Sequence, residues 1–429
     1  MNKILIKKYI LRYDDLSKVY VNKHKFINAK NHYINFGNFE GRNLYDRNVI
    51  FFMGGDIFYK SYINNLVSEN YKLFNIIMYK YINNSDIFIY DTCNNILYRI
   101  NSINTERELI EYNVVNINSF LIYNKYIDHA YFGTDIMNNL PDRFLKNVKK
   151  IYFQIPAIHW LESTILFPNT RIEFMIQIIK QYKIKHINTS NQRMKSYLTT
   201  FFNDYNIYNL NINVIRIGFN NPITYNHKCL NCIKKSLFND NDIIMCNTGG
   251  AWCWSDFNLF LKCFIKFIKQ SNRTDVKFIQ FGLKQPNNNN IEQSKYYDET
   301  NNILKENSYL INKCLFIKKW SKMKCINAVL PQMSIGINVN KNTLENKYSE
   351  RVRISDYMKY NLFILTTDGS QISDEMKENK IGHVIKAEKE EDYNKFFNNI
   401  DKIYNYDLEY RNIFYEKYLY KNILDKYNP

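Results

Sequence analysis

Ile243-Ile244-Met245-Cys246-Asn247-Thr248-Gly249-Gly250-Ala251-Trp252-Cys253-Trp254-Ser255-Asp256 is the stretch that decides the fold. Its first four residues form a short apolar run before a glycine pair, which reads as a buried strand entering a tight turn. Two adjacent glycines let backbone N–H groups approach an anion such as a diphosphate closely; a plain tight turn is the other use of the pair. From Asp256 to Lys269 the spacing is helical, with Phe257, Phe260, Leu261, Phe264 and Phe267 on related faces. Asp256 is expected to cap that helix.

Working outward, the same alternation repeats. Downstream, Val276–Phe281, Cys314–Ile317, Ser334–Val339, Leu362–Thr366 and His383–Ile385 read as strands, and Asn287–Asn290 as a surface loop. Upstream, Asn48–Met53 runs into Gly54-Gly55, followed by strand-like Leu73–Met78, Ile87–Tyr90, Lys150–Phe153, Lys185–Asn188 and Val214–Ile217. Thr189 or Ser190 is expected to cap the helix that runs through Tyr197 and Phe201. Strands alternating with helices imply parallel sheets covered on both faces. The Asn-, Lys- and Cys-rich residues 220–240 interrupt the pattern. The expected organisation is a helical leader (1–46), a first Rossmann-like lobe (47–222), a second (223–405) and a C-terminal helix (406–429) that returns to the first lobe. Ligands then belong at strand C-terminal ends, in a crevice between two doubly wound units.

Composition sets outer bounds. The chain has 429 residues, 45% hydrophobic and 23% charged, enough for a packed core and against wholesale disorder. Asn, Ile, Lys and Tyr are over-used, as an AT-rich coding sequence gives. The net charge of +17 fits an anionic partner, or a solvated surface set by codon bias. No run of five basic residues and no nucleic-acid motif is present, so no nucleic-acid partner is expected. No signal peptide and no apolar stretch of membrane-spanning length is evident, which points to a cytoplasmic chain, soluble or membrane-peripheral. Lys3, Lys7 and Lys8 allow peripheral contact with an anionic membrane surface. Cys229 and Cys232 form a CxxC pair without a second pair or His at matching spacing, so ordinary thiols are expected. Asp240-Asn241-Asp242 precedes a strand rather than following one and reads as a polar connection. No metal and no cofactor are expected.

Several short motifs then fall in a shared order. Gly249-Gly250-Ala251-Trp252-Cys253-Trp254-Ser255-Asp256 resembles the Gly-Gly-x-Trp-x-Trp-x-Asp loop of a family-4-like branch of the retaining GT-B-fold glycosyltransferases. Asn191-Gln192-Arg193 resembles the same branch's Glu-Arg-Gln-Arg helix start, and Gly218-Phe219 its Phe-Gly turn in altered order. Glu345 followed by Arg351-Val352-Arg353-Ile354-Ser355-Asp356-Tyr357 resembles its Glu…Arg-x-Arg-x-x-Asp-Tyr block, and Thr367-Asp368-Gly369, Asp374 and Gly382 continue in register. The likeness covers roughly residues 185–395. In the leader, His32-Tyr33 through Gly37 to Glu40-Gly41-Arg42 resembles a short helical repeat that accompanies such domains.

The resemblance implies two Rossmann-like lobes facing across a cleft. It also implies transfer of a sugar from a nucleotide-diphosphate donor to a glycan, lipid or protein acceptor, with retention and without a metal. The donor side would be Gly249, Gly250, Trp252, Glu345, Arg351, Arg353, Asp356 and Gly369, with the diphosphate charge falling to Arg351, Arg353 or Lys347 and Arg353 also expected to act in catalysis. For each, a structural use stands beside the functional one. The arginines can pair with Glu345 or Glu350, Asp356 can oppose a helix dipole, and one tryptophan can anchor the core. His159 and Glu162 are the acceptor-side candidates, because they follow a strand beside the cleft. The chain departs from the pattern where many retaining enzymes carry Arg and Lys soon after the glycine turn. Here Trp252, Trp254 and Asp256 follow, and the nearest Lys is Lys262. That departure keeps a second reading alive: a catalytically degenerate scaffold that binds a glycan or a partner.

Overall fold

Two sheets organise the chain. The computed structural model describes residues 47–53, 74–83, 86–91, 96–101, 113–114, 127–133, 148–155, 169–219, 238–239, 241–283, 291–319, 323–404, 408–419 and 423. The leader, residues 1–46, lies outside them.

The first sheet contains β1 (Arg47–Met53), β2 (Phe74–Asn83), β3 (Asp86–Asp91), β4 (Ile96–Asn101), β5 (Asn113–Val114), β6 (Ile127–Gly133), β7 (Val148–Ile155), β8 (His186–Thr189) and β9 (Asn211–Val214). Their order is β5-β4-β3-β2-β1-β6-β7-β8-β9. β1 runs parallel to β2 and β6, and β6 parallel to β7. The expectation of an all-parallel sheet fails at one side, where β2, β3 and β4 pair antiparallel. The reason is connection length. Only two residues separate Asn83 from Asp86, and a parallel return needs a crossover of a dozen or more. α1 (Asn169–Gln181) precedes β8, and α2 (Gln192–Asp204) follows it. The cap of α2 is Asn191, whose side chain accepts from Met194 N–H at 2.9 Å, rather than Thr189 or Ser190. β9 covers Asn211–Val214, upstream of the expected Val214–Ile217.

The second sheet is parallel throughout, and helices α4 (Ile291–Glu306), α5 (Met323–Val329) and α10 (Ile400–Tyr404) belong to the same stretch of chain. It holds β10 (Ile243–Asn247), β11 (Val276–Phe281), β12 (Leu315–Lys318), β13 (Ile335–Asn338), β14 (Phe363–Thr367) and β15 (His383–Ile385), in the order β12-β11-β10-β13-β14-β15. This is the doubly wound 3-2-1-4-5-6 arrangement, whose direction of winding reverses between β10 and β13. Both faces are covered, and alternate residues of β10 show it. Ile243 and Met245 join one core cluster with α3 (Phe257–Ser271) and α9 (Glu390–Asn398). Ile244 and Cys246 join another with α7 (Val352–Lys359) and α8 (Gln371–Glu378). Each strand therefore reads as a near-continuous apolar run.

The chain divides into two compact units. One takes residues up to Gln154 with Phe174–Ile187 and Asn209–Asn211, and the other takes the rest, including Asn188–Tyr208 and Ile212–Pro429. The second unit thus claims α2 and the stretch from Ile212, both ahead of the expected boundary at residue 222. It also holds α11 (Leu408–Glu416), where Phe414 and Tyr415 join the cluster containing Phe219 and Tyr357. Among the described residues, no helix is long and apolar enough to cross a membrane.

Candidate functional site

The winding reversal places the loop after β10, residues 248–256, at the carboxyl end of the second sheet. Tyr357 ties α7 to that loop. Its ring lies fully buried against Gly336 of β13, where any side chain would overlap it. Its hydroxyl donates to the Ile337 carbonyl at 3.1 Å and accepts from Thr248 N–H at 3.1 Å. Arg353 sits one helical turn before Tyr357 on the same face of α7, so the same anchor delivers it to the glycine turn.

The Arg353 guanidinium packs directly on Gly249. A Cβ built there would lie 2.5 Å from Nη2 and 3.0 Å from Cζ. Nη1 donates to Asn247 Oδ1 at 2.7 Å. Among the described residues no carboxylate pairs with this guanidinium. Burial pulls its pKa below the ordinary value, and nearby Arg351 pushes the same way against Tyr357, Asp356 and Glu345. It stays a cation, since a guanidinium does not lose its proton in a protein. The N–H groups of Gly249 and Gly250 also lack partners among the described residues, although Gly250 is buried.

Arg351, two residues away, is engaged differently. It forms an ion pair with Glu345, whose side chain is only 1% exposed. Glu345 lies on α6 (Leu344–Tyr348), which Thr343 caps by accepting from Asn346 N–H at 3.1 Å. Asn346 Nδ2 then donates to the Asp368 carbonyl at 3.1 Å, beside Gly369. Gly369 has φ +95°, a left-handed conformation that favours glycine. Its carbonyl accepts from Arg193 at 2.7 Å, and Arg193 also pairs with Asp374 on α8. Ser370 and Ser373 form a reciprocal capping box at the start of that helix. Asp356, half-buried on α7, has its carboxyl raised to about 7 by burial, against the pull of Lys359 and Arg353.

Trp252 and Trp254 stack on each other, with centroids 4.9 Å apart and planes at 6°. Trp252 also lies against Gly250, 3.1 Å from where a Cβ would stand. Asp256 precedes α3 without capping it. Its carboxylate instead accepts from Glu388 N–H and the Tyr393 hydroxyl, each at 2.8 Å. A buried tyrosine hydroxyl and a left-handed turn at Glu388 need an acceptor more than the helix start does. Asp242 pairs with buried Lys277, and among the described residues no group of His, Cys, Asp and Glu is set to hold a metal. His159 and Glu162 lie outside the described residues. The structure therefore brings Gly249, Gly250, Trp252 and Arg353 together, and links Arg351 with Glu345.

No protein-family model matches the chain, and no curated protein matches it. Solved structures do match. Anabaena HepE in complex with UDP aligns with TM-score 0.57 at 9% identity, over 89% of this chain and 98% of its own. A UDP-forming α,α-trehalose-phosphate synthase from Burkholderia xenovorans gives 0.59 at 9%, over 89% and 97%. A glycosyltransferase from Rickettsia africae gives 0.56 at 13%, over 89% and 96%.

The fold is GT-B.

Two features of this GT-B chain carry no sequence signal. Arg216, in the segment after β9, is gripped by Glu350 through Nε at 2.6 Å and by Glu375 through Nη1 at 2.7 Å, with the Tyr418 hydroxyl at 3.1 Å. Burial works against its proton, but Glu350 first, then Tyr418 and Glu375, hold it tightly. Glu350 also accepts from Ile217 N–H at 3.1 Å. It directly precedes Arg351, so this network fixes the entry to α7. The second feature is Gln280 on β11, which contacts both Asn247 and Gly249. Residues scattered over more than 200 positions converge here, and no local pattern announces them.

Proposed function

We propose that this chain is a glycosyltransferase that moves a sugar from a nucleotide-diphosphate donor to a glycan, lipid or protein acceptor. The observation that carries the reading is the Arg353 guanidinium packed on Gly249, without a carboxylate partner among the described residues, beside two backbone N–H groups that also lack partners. A half-buried cation beside backbone N–H donors at the carboxyl end of a doubly wound sheet suits a phosphate. Two structural neighbours support the donor class by what their names print: HepE, with UDP and with UDP-glucose, and a UDP-forming trehalose-phosphate synthase. A uridine diphosphate sugar is accordingly the first donor to try, with UDP as the probe of its nucleotide half.

Negative charge grows on the leaving diphosphate as the glycosidic bond breaks. Arg353 and the Gly249 and Gly250 N–H groups are donors already in place for it, so no reorganisation is needed in the transition state. Such charge stabilisation supports transfer without a metal. Retention at the anomeric carbon and acceptor-side roles for His159 and Glu162 complete the reading. One observation favours a second reading, a non-catalytic nucleotide- or glycan-binding scaffold: Glu345 neutralises Arg351, leaving Arg353 as the cation seated on the turn.

The test is calorimetry and thermal shift with UDP, GDP, ADP and their glucose conjugates, with and without EDTA. One nucleotide should raise the melting temperature regardless of EDTA, and Arg353→Ala should abolish that rise. Binding that survives Arg353→Ala refutes the phosphate assignment. Donor binding without turnover on any acceptor class selects the scaffold, and the anomeric configuration of any product decides retention.

A further inference from the structure

Gln280 is fully buried on β11, where it stands in register opposite Asn247 of β10. A buried amide needs partners at both ends. Its Nε2 donates to the Gly249 carbonyl and, at 3.3 Å, to the Gly282 carbonyl. Its Oε1 accepts from Asn247 Nδ2 at 2.9 Å. Asn247 Oδ1 is thereby turned toward Arg353 Nη1, which donates to it at 2.7 Å. Both amides are fixed by the chemistry of the two ends. Backbone carbonyls only accept and a guanidinium only donates, so flipping either amide would oppose like groups.

The same contact sets the glycine turn. In a trans peptide the C=O of one residue and the N–H of the next point in opposite directions. With the Gly249 carbonyl held toward Gln280, the Gly250 N–H is turned to the other side. Gly250 is buried and its N–H has no partner among the described residues, an arrangement folded proteins rarely leave unsatisfied. A Cβ at Gly249 would displace the Arg353 guanidinium, which occupies that space.

We propose that Gln280 is the positioning residue of the phosphate site: one buried amide aims the Gly249–Gly250 peptide and, through Asn247, the Arg353 guanidinium at a single anion, the donor's diphosphate. The assignment rests on the nucleotide-sugar reading above. Gln280 acts through its neighbours, so its removal weakens what the phosphates contribute and leaves the nucleoside's share intact.

The experiment compares UDP with uridine, by calorimetry on the full chain, for the wild type and for Gln280→Met, which keeps the shape and removes both polar ends. UDP affinity should fall by about 10- to 100-fold while uridine affinity is unchanged. UDP affinity within twofold of the wild type overturns the assignment. So does an equal loss for UDP and uridine, which is the signature of a merely structural role. Should Gln280→Met fail to fold, glycine-selective 15N amide spectra of the wild type decide, with Gly250 identified through Gly250→Ala. The Gly250 amide should shift strongly on saturation with UDP, and an unmoved signal refutes the proposal. A wild type that binds none of UDP, GDP or ADP removes the nucleotide reading and this one with it. That outcome differs from bound UDP that ignores Gln280.

Discussion

Gly249→Ala isolates the seat of Arg353 from the stability of the fold. Gly249 is not among the glycines with positive φ, so alanine brings no backbone strain. The added methyl would lie 2.5 Å from Arg353 Nη2. An ordinary contact is about 3.5 Å, so the guanidinium must retreat by about 1 Å. The 2.7 Å bond to Asn247 then stretches to about 3.7 Å and is lost. Because Arg353 is half-buried at the end of a flexible side chain, water recovers part of that loss, and stability should fall by less than about 1 kcal/mol. Binding should suffer more. A donor displaced by about 1 Å from a phosphate loses most of a charge-assisted hydrogen bond, about 1.4–2.7 kcal/mol, or 10- to 100-fold in UDP affinity. Calorimetry and urea melts on Gly249→Ala, Arg353→Ala and the double variant complete the cycle. The double variant should bind UDP no more weakly than Arg353→Ala alone, because the methyl then has nothing to displace. Additive losses, or wild-type affinity in Gly249→Ala, would refute the seat as the element that matters.

Gly336→Ala should do the reverse, costing about 1–3 kcal/mol or more in a urea melt, because its methyl meets a ring fixed in the core. Arg216→Met should cost about 3–5 kcal/mol near neutral pH, since it leaves Glu350, 6% exposed, as an unpaired buried carboxylate; the loss should shrink in acid as the carboxylates protonate, which melts at pH 5 and 8 compare. Asp356 gives a second pH signature. Its carboxyl is raised from the ordinary 3.8 to about 7, so between those values the folded chain holds a proton that the unfolded chain has released. Its contribution to stability is full in acid, declines from about pH 4 and is lost above about pH 7, and Asp356→Asn should flatten that decline in melts from pH 4 to 8.

Much of the second unit was legible because its signals are local. β10, β11, β13, β14 and β15 fall within a residue or two of their apolar runs, and a strand buried on both faces has no other pattern to show. The glycine turn was legible for the same reason, as a pair of residues that only a close backbone approach explains. Less was legible where two local outcomes compete. Asn191, rather than the two residues before it, caps α2, because its amide can also donate to the Tyr348 carbonyl at 2.7 Å. Asp256 sits where a helix cap belongs, yet Tyr393, 137 positions away, takes its carboxylate.

By itself, then, the sequence determined the alternation of strand and helix, the glycine turn after β10 and a pair of arginines close enough to serve it. Only the tertiary structure decided how those arginines divide. Arg351 and Arg353 stand two apart in one motif, but Glu345 neutralises the first, while the second packs on Gly249 with the neutral Asn247. Spacing along a chain fixes which side chains share a turn of helix. Whether a charge stays available to a ligand depends on which groups the fold brings against it, and here those come from β10, α6 and, through Gln280, β11.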